Sequence, residues 1–196
     1  MGGCAGGQTD RMAETNWAGN HTYRGRIERV RSVEHLQEVV AAAPRVRALG
    51  SRHSFTDLTD ITDTDDGVLV SLVDVPTTVE VDATNHTARV TGHAAYGDVA
   101  TRLQASGWAL GNLASLPHIS VAGAVATGTH GSGARNGSLA TAVVSLDIVG
   151  PEGELRTVSR GDADFEGSVV ALGALGVVAA VTLEIEPTYD VRQDVY

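Results

Sequence analysis

The stretch Leu113–Gly133, LASLPHISVAGAVATGTHGSG, is the most specialised part of the chain. Between Ala122 and Gly133 seven residues are Gly or Ala, and no Lys or Arg occurs in the stretch. Glycine permits positive φ and lets a backbone approach a ligand that a Cβ would keep away. Successive N–H groups in a Gly-rich turn before a helix can bind an anion without a basic side chain, so a diphosphate is the expected ligand. A tight buried turn packed on a neighbouring strand explains the same composition, and composition alone leaves both interpretations open.

Composition restricts the class of protein. The 196 residues suit one domain or slightly more, and 42% are hydrophobic but only 4% aromatic, so the core must be aliphatic. A net charge of −10 argues against nucleic acid and against an anionic membrane as partners. A single cysteine, Cys4, offers neither a disulfide framework nor a thiolate metal cluster. No apolar run is long enough for an export signal or a membrane span, so we expect a cytoplasmic protein.

The order of periodic segments favours an α+β fold over a doubly wound sheet, because predicted strands and helices are segregated more than alternated. After a Gly-rich tail, expected to be flexible over residues 1–15, Ser32 is placed to cap a helix that Pro44 ends. A second helix begins near Tyr96, and Gly107 is its expected C-terminal cap. A further short helix is predicted over 162–172. The predicted strands are an edge strand within 24–31 and segments at 46–49, 68–72, 78–82, 87–91, 143–149, 155–158 and 177–185.

A second candidate for function is the turn Gly50–Phe55, where His53 directly follows a predicted strand. A lone histidine is more often a half-exposed turn residue, so position alone does not assign it a role. A metal site with His118 and His130 is disfavoured, because these two are 12 residues apart and no Cys ligand accompanies them. A serine hydrolase is excluded by the absence of Gly-x-Ser-x-Gly. No metal is expected.

Two motifs together resemble the flavin-binding half of the vanillyl-alcohol-oxidase type (PCMH-type) flavoproteins. They are LGSRHSF at 49–55 and SLPHISVAGAVATGTHGSG at 115–133. Within that family, NWAGN at 16–20 and NLASLPHISVAG at 112–123 are most similar to the alditol (xylitol) oxidases. The resemblance extends from about Asn16 to Tyr196. It implies a two-lobed FAD-binding domain over 16–190 with mixed and antiparallel sheets and flanking helices, the small lobe being about 16–76 and the larger about 77–190.

The resemblance also implies roles for individual residues. His53 matches the histidine that carries FAD through a covalent bond to the flavin 8α-methyl carbon, although many relatives have Gly where this chain has Arg52. Ser115 and Ser120 match serines beside the isoalloxazine and ribityl groups, and Ser115 also matches a catalytic residue that borders the substrate hydroxyl. Val178 is an expected contact on the adenine side. The backbone that would wrap the diphosphate is Arg47, Ala48, Leu49, Gly50, Ser51, Arg52, His53 and Ser54, with Gly123, Ala124, Val125, Ala126 and Thr127.

The activity implied is oxidation of a primary alcohol of a polyol, such as xylitol or sorbitol, to an aldose. Molecular oxygen accepts the electrons and becomes hydrogen peroxide, while the flavin carries the redox chemistry. An aldonolactone oxidase or dehydrogenase is the alternative enzyme, and a noncatalytic FAD-binding module is the alternative from another class. The substrate domain of the family and its catalytic Arg, Glu, Lys and His side chains have no counterpart in these residues. A C-terminal half is therefore an expected partner besides the polyol and O2.

Overall fold

A computed structural model of the chain describes residues 14–61, 66–192 and 194. Its strands and helices follow in this order: β1 Arg26–Arg29, α1 Val33–Ala42, β2 Val46–Ala48, β3 Val68–Ser71, β4 Val79–Asp82, β5 Thr87–Thr91, α2 Tyr96–Ala105, β6 Trp108–Ala109, α3 Val121–Ala126, β7 Val143–Val149, β8 Leu155–Ser159, α4 Phe165–Val169, β9 Val177–Glu184 and β10 Glu186–Pro187. A 3₁₀ turn, Leu139–Ala142, precedes β7. The predicted α+β class is confirmed.

The first sheet is parallel, in the order β1-β3-β2, with β1 at an edge as predicted. Helix α1 covers it and begins where expected, because the Ser32 hydroxyl accepts a hydrogen bond from the His35 N–H at 3.1 Å. Leu36 and Val40 are one turn apart, on the face of α1 that is buried against Val68 and Val70 of β3. The crossover through α1 lets β1 and β2 run in the same direction, and both pair in parallel with β3, which lies between them.

The second sheet is antiparallel, in the order β4-β5-β9-β7-β8, and both predicted hairpins are present. Strand β9 lies at its centre, pairing with β5 on one side and β7 on the other. Helices α2 and α3 supply Val99, Leu103, Val121 and Val125 to the aliphatic core of this sheet. Residues of the second sheet, such as Val149 and Val177, also join the core beneath α1, so the two sheets share buried contacts.

The junction that positions α3 is built around Gly92. Its N–H donates to the Ala179 carbonyl on β9, and its own carbonyl accepts from the Ala122 N–H of α3, both at 2.8–2.9 Å. A Cβ at Gly92 would lie 2.5 Å from the Val178 carbonyl oxygen and 3.2 Å from the Ala122 methyl. The close approach of β5, β9 and α3 therefore needs glycine at this position.

Two expectations need correction or restriction. The helix predicted over 162–172 is shorter, Phe165–Val169, because Asp162 forms a side-chain turn with the Ser159 N–H and Leu172 takes a left-handed φ of 53°. The flexible tail predicted over 1–15 lies outside the described residues up to residue 13, whereas Thr15 already bridges Thr22.

The predicted lobe boundary near residue 76 remains a prediction; it falls where the chain passes from the first sheet to the second. Among the described helices, none is long and apolar enough to span a membrane.

Candidate functional site

The loop that follows β2 leaves its backbone donors open. Among the described residues, none accepts a hydrogen bond from the N–H groups of residues 50–54. Arg52, in the middle of this loop, has φ 62°, a left-handed conformation in which glycine is usual, and its side chain pairs with Glu14. Several consecutive free N–H groups around a left-handed residue form a concave site suited to an anion.

The motif NWAGN fixes this loop from the other side. The Asn16 side chain donates to the Ser54 carbonyl at 2.9 Å, the Trp17 N–H donates to the Arg52 carbonyl at 2.9 Å, and the Asn20 side chain donates to the Phe55 carbonyl at 3.1 Å. These contacts use the carbonyls of the loop and leave its N–H groups available. Sequence similarity drew attention to the motif, but its spacing alone did not indicate this support.

The two predicted segments meet at Ser51 and Ser120. The Ser120 N–H donates to the Ser51 hydroxyl at 3.2 Å. The Ser120 hydroxyl is buried without a hydrogen-bond partner among the described residues, and the side chain is 5% exposed. A Cβ at Gly50 would lie 3.0 Å from this oxygen, and one at Gly123 would lie 2.7 Å from it. Two glycines thus flank an unsatisfied polar atom, which a bound ligand could satisfy.

His53 lies among aromatic rings. The His53 ring centroid is 4.5 Å from that of His118 and 5.3 Å from that of Trp17, which stacks on it and is 62% exposed. Burial first, and then the nearby His118, lower the pKa of His53 below its ordinary value. The neutral imidazole therefore dominates at neutral pH and keeps a nitrogen lone pair for reaction. Within the described part of the chain, no group of three or more His, Cys, Asp or Glu side chains could hold a metal.

The first N–H groups of α3 do not form the open anion site that the sequence predicted. The Val121 and Ala122 N–H groups donate to the Ala94 and Gly92 carbonyls, and the Ala124 N–H donates to the Ser120 carbonyl. These donors are used to attach α3 to the sheet, so they cannot also hold a diphosphate. Ala124 and Val125 are buried in the core, so their side chains do not face a ligand. Gly123 and Thr127 are exposed, and Ala126 is half-buried.

Val178 lies beside α3, where the sequence had placed an adenine contact. It is half-buried in β9 and lines a shallow apolar crevice. Ala122 and Ala126 of α3 form one wall of that crevice, and Leu175 and Gly176 border it. The structure therefore brings Val178 together with the helix that carries Gly123.

The remaining predicted site residues have fewer contacts that relate them to the open N–H groups. Ser115 is exposed in the loop three residues before His118, and no described residue bonds to its hydroxyl. The Leu49 side chain is buried against Tyr23 and Leu69, so only its backbone borders the site. Arg47 and Ala48 are half-buried in β2, and this strand ends two residues before Gly50, which carries the first open N–H group.

A larger cleft of about 630 Å³ lies along the segment that leads to Ser115. Its walls include Asn112, Asn136, Ser138 and Glu186. Tyr96 also lines it, and its hydroxyl is buried without a partner among the described residues, while burial raises the pKa of this group. The helical apolar pattern around Tyr96 predicted a core position and gave no sign of an unsatisfied hydroxyl.

Known proteins resemble the chain in sequence. It is 45% identical over 186 residues to an alditol oxidase of Streptomyces sp., which covers 94% of this chain and 44% of that protein. It is 35% identical to an L-gulono-1,4-lactone dehydrogenase of Mycobacterium tuberculosis, covering 91% of the chain and 42% of that protein. The bovine L-gulonolactone oxidase is 30% identical, with 84% and 38% covered. The chain thus spans less than half the length of these curated relatives.

The fold and the family model agree with these similarities. The cholesterol oxidase of Brevibacterium sterolicum superposes with a TM-score of 0.78 at 20% identity, over 89% of this chain and 37% of that one, which confirms the PCMH-type α+β fold. The model described as "FAD binding domain" matches residues 26–159, which include the loop after β2, α3 and Ser120. This match confirms FAD as the cofactor, and the chain belongs to the FAD binding domain family.

Proposed function

We propose that the chain is the flavin-binding part of an enzyme that oxidises a primary alcohol of a polyol to an aldose and reduces O2 to hydrogen peroxide. The observation that carries this proposal is the 45% identity to an alditol oxidase over 94% of the chain. The lactone dehydrogenase and lactone oxidase are less similar, at 35% and 30%. The chain spans under half of each relative. The proposed activity therefore requires this chain together with a C-terminal half, which is its proposed partner.

The described residues fit FAD. The free N–H groups of residues 50–54 bind the diphosphate, which a chain of net charge −10 could otherwise attract only weakly. The unsatisfied Ser120 hydroxyl lies between Gly50 and Gly123, where a ribityl hydroxyl could pair with it. Gly123 supplies an open surface, and Ala126 and Thr127 border it. Val178 and the apolar wall of α3 are proposed to contact one side of the adenine ring, which favours an apolar surface.

His53 is proposed to carry the flavin covalently through the 8α carbon. Its neutral form supplies the nitrogen lone pair, and Trp17 stacks on its ring. FAD, when bound, accepts hydride from an alcohol and passes the electrons on. The protein's part is to orient the substrate and exclude water from it. Ser115, exposed three residues before His118, is proposed to border the substrate hydroxyl and donate a hydrogen bond to it.

Anaerobic mixing separates the candidate substrates. The full chain is loaded with FAD and mixed with xylitol, sorbitol or L-gulono-1,4-lactone, alone and with the C-terminal half of the Streptomyces alditol oxidase added as a separate chain. Loss of visible flavin absorbance with a polyol, followed by hydrogen peroxide when air is admitted, is the expected result. Loss of flavin absorbance with the lactone but with neither polyol would favour the lactone-oxidising alternative. No bleaching by any substrate, with either chain composition, would favour the noncatalytic FAD-binding module.

A further inference from the structure

His118 is in ring contact with His53, and no other described residue forms a hydrogen bond with its side chain. Its ring centroid lies 4.5 Å from that of His53, at an interplanar angle of 49°. The side chain is exposed, and no hydrogen bond to a described residue holds it. The backbone is fixed on both sides of His118, because the Pro117 and Ile119 carbonyls accept from the Gly97 and Tyr96 N–H groups. The fold therefore holds the His118 imidazole beside His53 with no hydrogen bond from its side chain to another described residue.

Covalent attachment at His53 needs a base. A neutral imidazole has one nitrogen with a lone pair and one with a proton. When the first bonds to carbon, the second becomes acidic and must release its proton. A second imidazole within hydrogen-bond reach, directly or through one water, is well matched to accept that proton near neutral pH. The other charged groups of the segments that contact His53 are Arg52 and Glu14, which pair with each other.

We propose that His118 is the base that takes the proton released by His53 when the His53 ring nitrogen bonds to the 8α carbon of FAD. This inference rests on the proposed covalent link. One C–H bond of the 8α-methyl group breaks, one N–C bond forms, and the His53 N–H proton passes to His118. The proton of the broken C–H bond would leave to solvent, its electron pair would reduce the flavin, and O2 would take those two electrons together with two protons to give hydrogen peroxide.

The test follows covalent incorporation directly. Flavin-free full chain is incubated with FAD in air from about pH 5.5 to 9, and flavin fluorescence of the acid-denatured polypeptide is measured over time. His118→Ala should slow incorporation by on the order of 100-fold while FAD binding before denaturation is unchanged. It should also lose the pH dependence of the wild-type rate, and added imidazole should restore part of that rate. His130→Ala, an exposed histidine of the same stretch, should behave as the wild type.

Each contrary outcome has a distinct meaning. Wild-type incorporation rates in His118→Ala, or a slow rate with an unchanged pH profile and no response to imidazole, would overturn the role of His118 alone. Wild-type chain that binds FAD but releases all of it in acid would contradict the covalent link and this inference with it. Wild-type chain that binds no FAD would contradict the proposed function itself.

Discussion

Two residues of the site carry a cost that the fold alone does not explain. Arg52 adopts a left-handed φ of 62°, which costs a non-glycine residue on the order of 1 kcal/mol. The Ser120 hydroxyl is buried without a partner, which costs about 1–3 kcal/mol. Such costs persist when a ligand offsets them; Arg52 lies within the loop with free N–H groups, and Ser120 borders that loop.

Replacing Ser120 by Ala should therefore affect ligand binding more than folding. We expect the melting temperature of the flavin-free chain to be unchanged or slightly higher, and FAD affinity to fall about 3- to 10-fold, the value of one hydrogen bond. Thr91 is a matched control, since it is also buried but its hydroxyl donates to the Pro76 carbonyl at 3.2 Å. Thr91→Val should lower stability and leave FAD affinity unchanged. The reverse pattern in fluorescence titration would show that Ser120 does not contact the cofactor.

Gly92 is predicted to be intolerant of a side chain. A methyl group there would collide with the Val178 carbonyl and displace Ala122, so Gly92→Ala should lower the free energy of unfolding by about 2 kcal/mol. Gly167→Ala, within α4 and with no atom within 4 Å of the added Cβ, should be neutral or stabilising. Urea denaturation measures both. Equal effects of the two substitutions would contradict the tight junction at Gly92.

Some residues of the site could be predicted from the sequence, and the contacts of others could not. His53 was identifiable because it follows a strand and belongs to a recognisable motif. His118 was considered only as a metal ligand, since nothing in a separation of 65 positions indicates ring contact. Trp17, which stacks on His53, was missed for the same reason. Contacts between segments distant in sequence depend on tertiary packing, which local patterns do not encode.

At the scale of elements, a polar cluster crosses the second sheet over its central strand. Arg89 on β5 donates twice to Asp147 on β7, at 2.6 and 3.0 Å, although β9 lies between these strands. Thr157 on β8 donates to the other carboxylate oxygen at 2.7 Å. The Asp147 side chain is 14% exposed, so these bonds are partly shielded from water. One carboxylate thereby connects three strands around β9.

Asp147→Asn should destabilise the sheet by about 1 kcal/mol, because an amide is a weaker acceptor for Arg89 and carries no charge. The measurement is the urea midpoint, compared with Asp194→Asn, whose partner Arg192 is only two residues away and exposed. The Asp194 change should have no measurable effect. If both variants unfold at the wild-type midpoint, the cluster contributes nothing to the sheet.

Elements with strong periodicity were predictable, and those ended by local turns were less so. The first helix and both hairpins follow from a capping serine, alternation and turn residues. The helix α4 was overextended because its apolar spacing continues beyond Val169, where the backbone leaves the helical region. The start of α3 was predicted to bind a diphosphate, whereas its Val121 and Ala122 N–H groups donate to the Ala94 and Gly92 carbonyls. Tertiary acceptors are invisible to a local pattern.

At the scale of the whole molecule, Asp60 connects the chain before β1 to the loop after the histidine turn. Its buried carboxylate accepts from the Arg24, Gly25 and Ile61 N–H groups and pairs with His21 at 3.0 Å. Burial raises the pKa of Asp60, but these hydrogen bonds outweigh it, so the pKa lies below its ordinary value of 3.8.

This environment predicts an acid-sensitive contribution to stability. Because the folded-state pKa is lowered, the contribution is complete above about pH 4 and is lost as pH falls through the folded-state pKa. Asp60→Asn should cost about 2 kcal/mol at pH 7, and its difference from the wild type should shrink progressively below about pH 4. Denaturation curves across this range measure it. A difference that stays constant with pH would contradict the role assigned to the carboxylate charge.

The central claim is that this chain binds FAD and holds it through His53, and the most direct test is flavin retention. The purified full chain is examined for flavin absorbance and then denatured in acid, with His53→Ala and His130→Ala prepared in parallel. We predict yellow protein whose flavin fluorescence stays with the denatured wild type and His130→Ala chains and is released from His53→Ala. A native wild-type chain without flavin, after incubation with FAD, would contradict the account.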